Sequence, residues 1–231
     1  MLSVECSKFP TTAMSGLFIT FEGVEGCGKS SQVALLAERL RQHGHTVRVT
    51  REPGGTPIGE EIRHTLKHSK DNSAMTWEAE LLLMNASRAQ LVRELIRPAL
   101  ARGEIVISDR FCDSTTAYQG YGRQLDLVAV QRIIDFAVGD TRPDLTLLIS
   151  VSPEVSAQRL RSRQATLPFV RDRIEEGDRA FFDRVARGYE LIARAEPLRV
   201  KPVDGNREVA AVREAVWREV EEAWARAAAL R

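Results

Sequence analysis

Leu17-Phe18-Ile19-Thr20-Phe21 is an apolar run, and Gly23-Val24-Glu25-Gly26-Cys27-Gly28-Lys29-Ser30-Ser31 follows one residue later. The second stretch fits G-x-x-x-x-G-K-[ST], the pattern of a phosphate-binding loop. Its glycines let the backbone curl so that successive N–H groups point inward at phosphate oxygens. Residues Gly23 through Ser31 are therefore the candidate nucleotide-phosphate cradle. Lys29 brings a mobile positive charge to the outer phosphates, and the Ser30 hydroxyl suits a Mg²⁺ ion. Beyond the loop, Val33, Leu36, Ala37 and Leu40 recur at helical spacing. A buried-type strand, a glycine loop and a helix in direct succession place the anion site at a helix N-terminus. That context separates the stretch from a glycine-rich turn that matches by chance.

Outward from the loop the chain alternates. Thr46–Thr50 reads as a second strand and Pro53-Gly54-Gly55 breaks it. Helical patterns cover Ile58 to Lys67 and Trp77 to Leu100. Ile105-Val106-Ile107 is a short buried strand, with a loop and helix between Arg110 and Val138. Leu145–Val151 is a fourth strand, two helices flank a loop at 164–175, and Leu198 to Val203 is a fifth strand. Val209, Val212, Val216, Val220 and Trp224 mark a closing helix. The expected fold is a three-layer α/β phosphate-loop (P-loop NTPase) fold with a mostly parallel sheet of about five strands. Residues 17–231 are expected to form one domain with an arginine-rich lid at about 161–175, and residues 1–16 a flexible extension in which Met14 is an alternative start.

Composition is that of an ordinary globular protein: 231 residues, 43% hydrophobic, 28% charged, net charge +1. No global field draws it to nucleic acid or a membrane, and no apolar run approaches spanning length. Residues 1–16 lack the apolar core of a secretory signal. Three unpatterned cysteines, Cys6, Cys27 and Cys112, suit reduced thiols in a cytoplasm.

In such sheets, ligands bind at the carboxyl ends of the strands. Arg51 follows the second strand; Asp109-Arg110-Phe111 follows the third. Asp109 is placed as the Mg²⁺-associated carboxylate, although a cap or turn role suits an aspartate there too. Arg51 and Arg110, facing one phosphate loop, point to a second anionic group. Arg159, Arg161, Arg163, Arg171 and Arg173 flank one loop in a nearly neutral chain. Arg159 reads as part of a solvated helix face. The others suit a lid that neutralises a transferring phosphoryl group and excludes water.

Taken together, Phe21–Gly26, Thr50–Thr56, Ser87-Arg88-Ala89-Gln90, Asp109-Arg110-Phe111, Ser114–Gly120 and Arg142-Pro143-Asp144-Leu145 resemble the bacterial thymidylate kinases over nearly all of residues 17–220. The resemblance implies transfer of the ATP γ-phosphate to dTMP, with Mg²⁺, by a cytoplasmic homodimer. It implies that Arg51, Arg88 and Arg110 hold the acceptor nucleotide. Glu25 would reach the sugar 3′-hydroxyl, and Tyr118 would stand near the sugar 2′-carbon. Ser114, Thr115 and Gln119 would belong to the acceptor pocket. Lys29 and Asp109 would serve catalysis, with Ser30 and Asp109 at the metal. One layout in the family puts an arginine inside the phosphate loop. Gly26 occupies that position here, so the resemblance moves the catalytic charge to the lid, with Arg163, Arg171 and Arg173 as candidates and Arg161 next. Met84 stands where a phenylalanine that stacks on thymine is usual.

Two other classes share the loop. A GTPase switch needs N-K-x-D and D-x-x-G motifs, and neither is present. A non-catalytic nucleotide binder has no use for the acceptor arginines. A kinase for another nucleoside monophosphate is the nearest alternative.

Overall fold

The computed structural model describes residues 16–166, 173–174 and 177–229. Phe18–Glu22 forms β1, buried along its whole length because helices cover both faces. After the phosphate loop come α1 (Lys29–Gln42), β2 (Val47–Arg51), α2 (Pro57–Lys67) and α3 (Trp77–Leu91). A π-helical turn, Val92–Ile96, joins α3 to α4 (Arg97–Ala101), so the helical path expected from Trp77 to Leu100 is continuous but widened. Pro98 gives the reason: it has no N–H for the carbonyl of Glu94, and the wider turn accommodates its ring. Then follow β3 (Ile105–Asp109), the short α5 (Cys112–Thr115), a second π-helical turn (Thr116–Gly122) and α6 (Leu127–Val138). β4 (Leu145–Ser150), α7 (Pro153–Thr166), α8 (Arg179–Ala195), β5 (Val200–Asp204) and α9 (Val209–Ala229) complete the chain.

The sheet has five strands in the order β2-β3-β1-β4-β5, all parallel. β1 is central, with Ile19 in register with Ile107 on one side and Leu145 on the other. Side chains alternate across it. Ile19 and Phe21 pack with Leu36, Leu40, Val216 and Trp217 from α1 and α9. Phe18 packs on the other face with Val106, Leu91, Ile96 and Ile134 from the α3–α4 and α6 side. A third cluster, including Tyr118, Phe181, Val185 and Tyr189, seats α8 against the second π turn. Helix starts are capped where the chain supplies a short polar side chain: Thr56 Oγ1 accepts from Gly59 N at 3.0 Å, and Asp126 Oδ1 from Ala129 N at 2.8 Å. Among the described residues no helix is long and apolar enough to cross a membrane.

The carboxyl ends of β1, β2 and β3 lie side by side, with Phe21 paired to Asp109 and Arg51 to Asp109. This edge carries the residues singled out in the sequence.

Candidate active site

The loop between β1 and α1 is shaped by left-handed glycines, Gly23, Gly26 and Gly28. Lys29 curls back beneath it, its Nζ donating to the carbonyls of Gly23 and Val24 at 3.0 Å each. Ser30, one residue into α1, donates its Oγ to Asp109 Oδ2 at 2.7 Å. A hydroxyl and a carboxylate beside a phosphate cradle are hard oxygen donors that suit Mg²⁺, which takes one or two protein ligands and completes its shell with phosphate and water. Among the described residues no cluster of three or more acidic, histidine or cysteine ligands offers an all-protein metal cage.

α7 packs directly on the loop. Ser156 Oγ donates to the Glu25 carbonyl at 2.7 Å, and Arg159 bridges the carbonyls of Cys27 and Gly205 at 3.2 and 3.0 Å. The solvated face expected for Arg159 is therefore corrected: its guanidinium braces the phosphate loop, because unpaired loop carbonyls lie within its reach. The same packing explains Gly26. A Cβ there would lie 2.8 Å from the Ser156 carbonyl oxygen and 3.2 Å from Leu160 Cγ, on a backbone at φ +71°. An arginine at this position would have to push α7 away.

Beside the loop is a cleft of about 430 Å³ lined by Glu25, Glu52, Pro53, Lys67, Met84, Arg88, Arg110, Ser114, Thr115, Tyr118, Gln119 and Ile174. It gathers eight of the residues named for the acceptor nucleotide. Arg51 and Asp109 stand outside this lining: Arg51 is exposed and paired to Glu60 at 2.9 Å, and Asp109 faces Ser30. Glu25 belongs both to the phosphate loop and to the cleft. Burial alone would raise its carboxyl, but Arg110 beside it, with Lys29 and Lys67 nearby, holds it down at about 2. Arg110 Nη2 donates to Glu25 Oε1 at 2.7 Å and to Tyr118 OH at 3.2 Å. Its Nη1 donates to Ser114 Oγ at 3.1 Å and to Tyr189 OH at 3.2 Å.

Arg88 is fully buried and each of its five N–H groups is engaged. Nε and Nη2 donate to Glu52 Oε2 at 2.9 and 2.6 Å, Nη2 to the Phe111 carbonyl at 3.1 Å, and Nη1 to Asn85 Oδ1 and Thr115 Oγ1 at 2.9 Å each. In this arrangement it ties α3 to the turns after β2 and β3. Met84 lines the cleft and packs against the cluster that contains Tyr118. Among the lid arginines, Arg173 is buried and pairs with Glu80. Arg161 is exposed on α7, Arg171 lies outside the described residues, and of Arg163 only the backbone in α7 lies within them.

Four residues at this edge escaped sequence reasoning: Glu22, Glu52, Glu80 and Tyr189. Glu22 ends β1 fully buried. Its Oε1 accepts from Phe111 N at 2.7 Å, and its Oε2 accepts from Ser114 Oγ at 2.6 Å and from Tyr189 OH at 2.8 Å. Burial, and then the nearby Asp113, push its carboxyl up to about 7. A carboxylate closing an apolar strand just before the loop was the available signal for it. Tyr189 falls at helical spacing with Phe181, Val185 and Ile192 on α8, which marks it as inward but not as part of a site, and nothing in spacing marks Glu80 on α3.

The model of the family described as Thymidylate kinase matches residues 21–216. A thymidylate kinase of Alcanivorax borkumensis is 49% identical over 213 residues, 91% of this chain and 100% of its own length. One of Syntrophotalea carbinolica is 47% identical over 201 residues, 87% of this chain and 93% of its own. The crystal structure of thymidylate kinase from Ehrlichia chaffeensis superposes with a TM-score of 0.71 at 32% identity, covering 90% of this chain and 99% of that one. With the match spanning both the phosphate loop and the acceptor cleft, the chain belongs to the thymidylate kinase family.

Proposed function

We propose that the protein transfers the γ-phosphate of ATP to dTMP, giving dTDP and ADP. The observation that carries this reading is the double membership of Glu25: a phosphate-loop residue that also lines a second cleft and is ion-paired there to Arg110 at 2.7 Å. Donor and acceptor sites therefore share a wall, as transfer between two phosphates requires. Phosphoryl transfer needs positioning and charge neutralisation more than a nucleophilic side chain. In this reading the loop N–H groups and Lys29 hold the outer phosphates of ATP, Lys29 exchanging the Gly23 and Val24 carbonyls for phosphate oxygens. Arg51 and Arg110 hold the dTMP phosphate, with Asp109 at the same edge. Met84, Arg88, Ser114, Thr115 and Gln119 surround the base, and Glu25 and Tyr118 meet the sugar. Ser30 and Asp109 would hold Mg²⁺, which when bound neutralises charge on the phosphate oxygens.

The catalytic arginine is assigned to the 161–175 lid, with Arg163, Arg171 and Arg173 as candidates. The clash that a larger residue at Gly26 would make with α7 supports this layout. The reading extends to a cytoplasmic homodimer. Leu82 on α3 and Phe136 on the adjoining α6 are exposed apolar side chains that a second copy would cover. A coupled assay of ADP release against a panel of nucleoside monophosphates tests the substrate assignment, and a solution mass tests the dimer.

A further inference from the structure

We infer that Glu80 is a positioning residue that sets the polarity of the Gln119 amide and thereby makes the acceptor cleft read the N3–H of thymine. The inference rests on the reading of the cleft as the dTMP site and of Gln119 as one of its base-facing walls.

Glu80 lies on the first turn of α3 and is fully buried, outside the cleft lining. Two arginines neutralise it: Arg123, through Nη2 to Oε2 at 3.2 Å and Nε to Oε1 at 3.3 Å, and Arg173, through Nη2 to Oε2. Trp77 supports this pair, with the Arg123 guanidinium 3.9 Å above its ring. The remaining contact is the informative one. Gln119 Nε2 donates to Glu80 Oε1 at 2.7 Å. The two ends of a glutamine amide are ordinarily assigned from their neighbours, and here the neighbour leaves no choice. An ionised carboxylate only accepts hydrogen bonds, so the amide nitrogen must face it. The planar amide then turns its oxygen the other way. Gln119 is itself 2% exposed and lines the cleft, so the amide oxygen is what it turns to a base there, beside whichever N–H Glu80 leaves unused.

An acceptor matches the N3–H of thymine or uracil. It opposes N3 of cytosine, which carries a lone pair. Selectivity against cytosine thus originates in a carboxylate that never touches the base. In the Glu80→Gln protein, the two arginine Nη2 groups at the former Oε2 would select the new amide oxygen. Its NH₂ would then face Gln119 and reverse that amide, presenting a donor to the cleft.

The test is steady-state kinetics of E80Q and Gln119→Leu with dTMP and dCMP at saturating ATP. For E80Q the ratio of kcat/KM for dTMP over dCMP should fall by about tenfold or more, with kcat/KM for dCMP rising in absolute terms. For Q119L the ratio should fall without any gain on dCMP. A purely structural role for Glu80 would depress both substrates alike: an unchanged ratio in E80Q beside an altered one in Q119L overturns the inference and leaves the base pocket standing. An unchanged ratio in both variants overturns the placement of Gln119 at the base as well. Should E80Q fold poorly with two buried cations unmatched, the double variant E80Q/R123Q, which removes one of them and keeps Arg173 at the former Oε2 to select the amide oxygen, carries the same measurement and the same outcomes.

Discussion

Arg110 combines a left-handed backbone, φ 74°, with a guanidinium shared among Glu25, Ser114, Tyr118 and Tyr189. A non-glycine residue held in that region is costly and persists where its surroundings over-determine it. Here Glu22 supplies the restraint, capping the next N–H, that of Phe111, at 2.7 Å and fixing both Ser114 and Tyr189. Arg110→Ala should raise KM for dTMP on the order of 10²-fold while KM for ATP moves little, as steady-state kinetics with each substrate varied would measure. Glu22 gives a pH prediction. Its carboxyl is raised from 4.5 to about 7 in the folded protein. Between those values the native state holds a proton that the unfolded chain has released, so stability from this group is present at the acid end and is lost as pH rises through that window. Thermal unfolding of Glu22→Gln, compared with the parent from pH 4.5 to 7.5, should show the parent losing ground steadily as pH rises. A constant difference would contradict the assignment. That Ser30, Arg51, Asp109 and Arg110 meet beside the phosphate loop was legible, because the loop and the ends of β2 and β3 fall on one edge of the sheet. Glu52 and Glu80 were not, because a buried carboxylate is recognised by the partners that tertiary packing brings to it, and Glu22 showed only its place at the end of an apolar strand.

At the scale of elements, the parallel sheet was legible from strand–helix alternation, and its boundaries shifted by only a few residues. Arg51, expected after the second strand, is its last residue, and β5 runs Val200–Asp204 rather than Leu198–Val203. Two features resisted reading. The π turns at Val92–Ile96 and Thr116–Gly122 leave hydrophobic periodicity almost intact, and the docking of α7 on the phosphate loop depends on side chains far apart in sequence. The loop is also tied to the sheet: a Cβ on Gly23 would lie 2.3 Å from the Ile149 carbonyl oxygen of β4, on a backbone at φ +135°. Gly23→Ala must therefore displace either the loop or β4. It should cost about 3 kcal/mol or more in chemical denaturation and should weaken ATP binding more than dTMP binding. An alanine variant as stable as the parent would mean that the loop is not anchored there.

For the whole molecule, the sheet edge joins two sites of different character. One is a loop of backbone N–H groups with Lys29 and Ser30. The other is a cleft bordered by carboxylate–arginine pairs: Glu52 with Arg88, Glu25 with Arg110, and Glu80 with Arg123 and Arg173. Each pair neutralises charge in or behind the wall of the cleft. This is an arrangement for one small, specific nucleotide. The most direct measurement is ADP release by the purified protein with ATP, Mg²⁺ and each of dTMP, dUMP, dCMP, dGMP, UMP and AMP. Release should depend on the monophosphate, with kcat/KM highest for dTMP and dUMP about tenfold or more below it for want of the methyl group. ADP release that is indifferent to dTMP, or faster with another of these nucleotides, would contradict the account.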